Sequence, residues 1–210
     1  MNPAKIRLSQ PEMELVTSAE LILTKNAILK KVNLLLGGLQ PEQKEIINSY
    51  STKLPDKVLG STAKISKGEN YAGLPYQILD YPRVFDNENL PGKQAGIFAV
   101  RTMFWWGHFF SVTLHLSGIY KKLAEKKLVA NFNVMKEKGY FCYINDDQWE
   151  HHFEEHNYVM MSGINKNDFE RSVREKSFFK MANKISLQQW DDAEKILISY
   201  FKEIIEMIAD

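Results

Sequence analysis

Residues 96–118 read Gly-Ile-Phe-Ala-Val-Arg-Thr-Met-Phe-Trp-Trp-Gly-His-Phe-Phe-Ser-Val-Thr-Leu-His-Leu-Ser-Gly. From Phe110 onward apolar and polar residues alternate, which is the period of a strand with one buried face. Phe110, Val112, Leu114 and Leu116 share one face; Phe109, Ser111, Thr113 and His115 share the other. Upstream, Phe98, Val100 and Phe104 share a face, with Thr102 as the exception. Ile97, Ala99, Arg101, Met103 and Trp105 share the opposite one. The two runs form a β-hairpin turning around Trp105 to His108. A slip of one residue would set the core side of one strand beside the polar side of the other, so even-numbered residues must face even-numbered ones. That register gathers Arg101, Ser111, Thr113 and His115 onto one face, flanked by Trp105 and Phe109.

This hairpin is also the longest uncharged stretch, since residues 102–120 contain no Asp, Glu, Lys or Arg. Nineteen residues approach the length of a spanning helix. The strand alternation, two histidines, serines and two glycines argue for a sheet instead, so no membrane partner is expected.

Outward from the hairpin, the pattern is mixed. Ser9-Gln10-Pro11-Glu12 fits a capping box, with Leu8 and Met13 placed to close a hydrophobic staple. Leu15, Ala19, Ile22, Leu29 and Leu36 continue at helical spacing, and Gly37-Gly38 supplies a stop. Residues 28–36 are apolar on several faces, which predicts burial in the core or in a partner. Pro41 opens a second short helix through Ile46, Ile47 and Tyr50, closed by Pro55. Residues 54–73 read as a loop. Leu74–Asp80 reads as a strand that Pro75 and Pro82 confine to an edge or an interrupted position. Residues 86–96 read as a turn-rich connection.

After Gly118 a helix is predicted to about Lys138, with Tyr120, Leu123, Ala124 and Leu128 as its apolar stripe. Strands follow at Tyr140–Asn145 and Tyr158–Ser162, around a short helix or ordered loop at 146–156. Asn167-Asp168-Phe169-Glu170 caps a helix towards Asn183. Ser186-Leu187-Gln188-Gln189 caps the last helix, whose stripe is Trp190, Ala193, Leu197, Tyr200, Ile204 and Ile208. The expected fold is α+β: one antiparallel sheet of about four to six strands in a single domain, residues 1–210, with N- and C-terminal helices packed on it. The alternative is a helical N-terminal subdomain, residues 1–55, docked on an α+β body.

The chain has 210 residues, 44% hydrophobic and 25% charged, with 27 Lys and Arg against 26 Asp and Glu. A formal net charge of +1 gives no general field for a polyanion, so no nucleic-acid partner is expected. The single cysteine, Cys142, lies in an apolar run and reads as a buried inert thiol. One cysteine and a charged amphipathic start suit a reducing cytosol.

Three constellations invite chemical readings. On the hairpin face, Arg101 beside Ser111, Thr113, His115 and Trp105 can hold a carboxylate or phosphate, with aromatics against an apolar body. The ligand expected there is an anionic or aromatic small molecule, at a site that a homodimer can share. The ordinary alternative is an Arg paired with an acid such as Asp80 on a solvated face. In Asn145-Asp146-Asp147-Gln148-Trp149-Glu150-His151-His152-Phe153-Glu154-Glu155-His156, three of the five histidines fall within eleven residues. On a helix His152 and His156 stand at i and i+4. His152-x-x-Glu155-His156 has the lettering of an inverted zinc-protease motif, with a divalent metal on the imidazoles and Glu155 as base. The ordinary alternative is an exposed polar connection. The third, Ser61-x-x-Lys64, has a nucleophile–base spacing, but its partner motifs are absent and Ser177-x-x-Lys180 repeats it. Neither a Walker loop nor Gly-x-Gly-x-x-Gly occurs. The expected function is therefore a non-catalytic small-ligand-binding or interaction protein, with a metal-dependent hydrolase as the alternative.

Overall fold

The computed structural model describes residues 6–86 and 95–209. In chain order the helices and strands are α1 (Gln10–Thr17), α2 (Ala19–Ser49), α3 (Asp56–Leu59), β1 (Lys64–Tyr71), β2 (Leu74–Asp86), β3 (Gly96–Trp105), β4 (Phe109–Ser117), α4 (Gly118–Ala130), α5 (Phe132–Glu137), β5 (Phe141–Tyr143), β6 (Tyr158–Met160), α6 (Lys166–Glu175), β7 (Phe178–Ser186) and α7 (Ala193–Ala209). Among the described residues the strands form one antiparallel sheet of seven, ordered β1-β2-β3-β4-β7-β5-β6. The α+β class with N- and C-terminal helices is as read from the sequence. The strand count exceeds the expected range because of β1 and β7.

The central hairpin is paired as the alternation requires: Phe98 faces Leu116, Arg101 faces Thr113, Met103 faces Ser111 and Trp105 faces Phe109. A three-residue loop closes it, with Gly107 in the left-handed region at φ 74°. At the other end Gly118 sits at φ 54°, and a Cβ there would lie 2.0 Å from the Ala95 carbonyl oxygen. Glycine is the residue that lets the strand leave the sheet there and open α4.

The even-numbered face of β3 and β4 is the floor of the main core. Phe98, Val100, Phe110, Val112, Leu114 and Leu116 meet Val32, Leu36 and Leu39 of α2, Leu128 of α4 and Leu197, Phe201 and Ile204 of α7. Thr102, the polar exception on this face, is 1% exposed and accepts from the Gln43 side chain of α2 at 3.5 Å.

Several local expectations are corrected. Gly37-Gly38 does not stop the first helix; α2 runs through both glycines and Pro41 to Ser49. Gly38 faces Glu194 of α7, and burial of Val32, Leu36, Leu39 and Ile47 outweighs the propensity loss of about 1 kcal/mol per glycine. The helix breaks instead at Ser18, whose backbone is extended. Residues 64–71, read as loop, are the polar edge strand β1. Its side chains are half exposed, so no hydrophobic alternation marks it. Pro82 interrupts β2 as expected, at a register shift between Asp80 and Arg83, but β2 lies between β1 and β3 and not at the edge. The helix after Gly118 is split into α4 and α5, and Leu123 is exposed. The cap of α6 is Asn165, whose side chain accepts from the Asp168 N–H, and α6 ends at Glu175. Residues 178–186 are not helix but β7, beside β4. Ser186 caps a 3-10 stretch, Leu187–Asp192, before α7 begins. Residues 87–94 of the turn-rich connection lie outside the described residues.

Candidate functional site

The second face of the sheet carries the odd-numbered residues of β3 and β4. Two aromatic clusters bound it: Ile78, Met103, Trp105 and Phe109 on one side, and Tyr143, Tyr158 and Phe178 on the other. Between them the sheet brings together Asp80 of β2, Arg101 of β3, Ser111, Thr113 and His115 of β4, and Lys180 of β7. In neighbouring rows, Asp80 pairs with Arg101 and Arg101 with Thr113, while His115 pairs with Lys180. The segment 144–157 lies across this patch as a flap. It is an ordered loop with turns and without helix.

Arg101 is held by two partners, Asp80 and His151. Its Nε and Nη2 donate to the two Asp80 carboxylate oxygens at 2.8 and 3.0 Å, a bidentate ion pair. Its Nη1 lies 2.5 Å from Nε2 of His151 on the flap. Arginine has only donors, so His151 Nε2 accepts and the ring proton sits on Nδ1. That Nδ1 is buried and has no hydrogen-bond partner. Burial, with the charges of Arg101 and Lys180, holds the His151 pKa well below the ordinary value and keeps the ring neutral.

His115 is neutral as well. Burial and then the Lys180 charge push its pKa down to about 3, and its Nε2 meets Gln148 Oε1 of the flap at 3.1 Å. Lys180 is 1% exposed and donates to the main-chain carbonyls of Gln148 and Glu150, at 3.1 and 2.6 Å. Its Nζ stands 3.9 Å from the centroid of the Tyr143 ring. Burial, reinforced by Arg101, brings its pKa down to about 7. Tyr71 fastens the flap by accepting from the N–H groups of His151 and His152, at 2.8 and 3.0 Å. Phe153 stacks on Tyr158 with centroids 4.5 Å apart.

The residues singled out from sequence therefore stand together on one face but under cover. Ser111, Thr113 and His115 are buried, and the Arg101 side chain is 18% exposed. Trp105 is buried, and its indole N–H donates to the Tyr71 carbonyl. The pairing of Arg101 with Asp80, read as the ordinary alternative, is present. Sequence reasoning missed Lys180, His151, Tyr143 and Tyr158. Phe178–Ile185 carries no clean period-2 signal that could have found Lys180, because Phe178 and Ala182 share its side and Asn183 stands on the other.

On the outer side of the flap, His152 and His156 stand with ring centroids 5.2 Å apart, but on turns and not on the helix their spacing suggested. The carboxylate beside them is Glu154. It lies 4.0 Å from His152 Nδ1 and 3.6 Å from His156 Nδ1, and one donor atom from each of the three falls within 4.8 Å of the others. Glu155 is exposed and outside this group. Cys142 is buried, its thiol pushed up to about 12 by burial, and so stays protonated. Among the described residues no helix is long and apolar enough to cross a membrane. No known protein family, curated protein or solved structure matches this chain.

Proposed function

We propose that the protein is a cytosolic, non-catalytic binding protein for an anionic small molecule, seated on the second face of the sheet under the 144–157 flap. Arg101, Lys180 and His115 form the seat. Ser111 and Thr113 supply hydroxyls, and Trp105 with its aromatic neighbours flanks an apolar body. One observation carries the reading: a buried amine, Lys180, has only main-chain carbonyls as hydrogen-bond partners, with the Asp80 carboxylate taken by Arg101 and those of Asp147 and Glu150 on the flap acting on it through space without a hydrogen bond. A carboxylate or phosphate there would restore the lysine's charge and accept from the His151 N–H that meets no acceptor. The flap supports the reading because side chains and turns, and not a sheet or helix ladder, hold it down. The lone, buried, protonated thiol suits the reducing compartment.

Calorimetric titration with inorganic phosphate, phenyl phosphate and benzoate tests this. Phenyl phosphate should bind the wild type and lose at least ~10-fold in affinity in Lys180→Met, where a charge-assisted hydrogen bond is removed. Absence of binding by all three probes, or equal affinity in Lys180→Met, overturns it.

The His152, Glu154 and His156 grouping favours a second reading, a divalent metal on the flap serving hydrolysis, with Glu155 as the base the sequence pattern offers. Zinc titration separates the two carboxylates. Geometry makes Glu154→Gln weaken zinc binding and hydrolysis with it, whereas Glu155→Gln should spare binding and lose hydrolysis. No zinc uptake by the wild type removes this reading.

A further inference from the structure

The N-terminal helices carry apolar residues that nothing among the described residues covers. Met13, Leu15, Val16, Leu21, Ile22 and Leu23 are each between 46% and 68% exposed, and α1 has no buried residue. An eight-residue helix with no buried side chain is marginal in water even with its capping box. With Leu8 and Leu34, these side chains offer on the order of 800 Å² of apolar surface, about what one side of a standard interface buries.

The charge along the same arm is polarised. Residues 12–20 hold Glu12, Glu14 and Glu20 and no base, whereas residues 25–31 hold Lys25, Lys30 and Lys31 and no acid. Lys25 is engaged with Glu69 of β1, leaving Lys30 and Lys31 on the exposed side of α2. An arm with acids at one end and bases at the other complements a copy of itself laid antiparallel, and repels one laid parallel.

We propose that the arm, α1 with the first half of α2, pairs antiparallel with the same arm of a second copy about a two-fold axis at Ile22. In that register Leu21 meets the partner's Leu23, Leu15 meets the partner's Leu29, and Glu14 meets the partner's Lys30. The partner's α1 then lies over the groove between α2 and β1, a cavity of about 620 Å³ bordered by Leu29, Lys30, Ile65 and Lys67. Its acids approach lysines there. The contact is isologous, so it closes at two copies and leaves no free apolar end. The inference is independent of the sheet-face ligand, since the arm and the flap share no residue.

Sedimentation equilibrium of the full chain tests it, with circular dichroism as the check on folding. The wild type should be a dimer at micromolar concentration. Ile22→Asp, which places two carboxylates on the axis, should weaken the dimer ~100-fold or more without unfolding the body. Glu14→Lys and Lys30→Glu should each weaken it, and the double variant E14K/K30E should recover to within ~3-fold of wild type. A monomeric wild type, a dimer indifferent to Ile22→Asp, or a double variant no better than the singles overturns the proposal. Arm-dependent binding of a monomeric wild type to anionic lipid vesicles would overturn it too, and assign the arm to a membrane surface.

Discussion

Replacing Lys180 by Met keeps the length of the side chain and removes the buried amine, and the effect is readable in the pH dependence of stability. Burial sets the folded pKa at about 7, whereas an unfolded lysine titrates near 10.4. Below pH 7 both states carry the proton, and the folded chain bears the full penalty of a buried charge. Above pH 7 the folded lysine gives up its proton while the unfolded one keeps it. The unfolded state then binds more protons, and stability rises with pH. Between pH 7 and 9 this one group should add about 2 kcal/mol, or roughly 1 M in the urea midpoint for a chain of this size. Cys142 and the buried tyrosines have raised pKa values, act above pH 8.5 and push in the opposite direction, so the difference between wild type and variant isolates Lys180. The absolute stability of Lys180→Met at pH 7 combines relief of that penalty with loss of a donor to the Gln148 and Glu150 carbonyls, and is not the readout. Urea unfolding of both proteins at pH 7, 8 and 9 measures the slope. Parallel slopes would refute the reasoning, because Lys180 would then keep its proton in the fold and sit in water or beside an uncounted carboxylate.

His115 gives the acid limb. Its pKa is lowered in the fold to about 3, so the stability of the neutral ring is complete above the unfolded value near 6.5 and is lost as pH falls towards 3. His115→Gln should flatten the loss between pH 6.5 and 4 by about 3 kcal/mol in thermal or urea unfolding. Two glycines give opposite outcomes. Gly37 lies inside α2 with open space around its Cβ position, so Gly37→Ala should stabilise by about 1 kcal/mol. Gly118→Ala puts a methyl onto the Ala95 carbonyl at a positive φ and should leave the chain insoluble or unfolded on expression.

The central hairpin was legible because β4 alternates apolar with polar side chains, and one register alone sets its apolar side beside that of β3, even though the fold buries both faces. The two strands misread from sequence lack that signal for opposite reasons. β1 is a polar edge with little buried on either face, so its residues look like loop. β7 is buried on both faces, and with Lys180 and Asn183 inside it shows no clean polar side. The glycines at 37 and 38 misled because a helix terminus is a local signal, whereas the contact of α2 with α7 is tertiary and stronger. Half of the candidate site could be gathered by parity alone. The other half arrives through the flap, whose residues reach Arg101 and His115 across sequence separations of 50 and 33, which no local pattern encodes.

The burial of the polar face is itself the argument for its use. Stability alone would favour apolar residues at Arg101, His115 and Lys180, since a well-packed apolar replacement of buried ionic groups is often neutral or stabilising by about 1–4 kcal/mol. The neighbouring rows of the same face do hold apolar and aromatic residues, Met103, Trp105 and Phe178 among them, so the sheet geometry does not demand polarity there. What distinguishes the cluster from a structural ion pair is its imbalance. Asp80 neutralises Arg101, Lys180 hydrogen-bonds to no carboxylate and feels those of Asp147 and Glu150 only through space, and both imidazoles are held neutral by burial first and then by the cations around them. A fold selected for stability alone would complete that balance with another acid. An amine without a hydrogen-bonded carboxylate, beneath a flap that is neither helix nor strand, is the arrangement the proposed guest anion would complete, and the calorimetric titration of Lys180→Met asks whether it does.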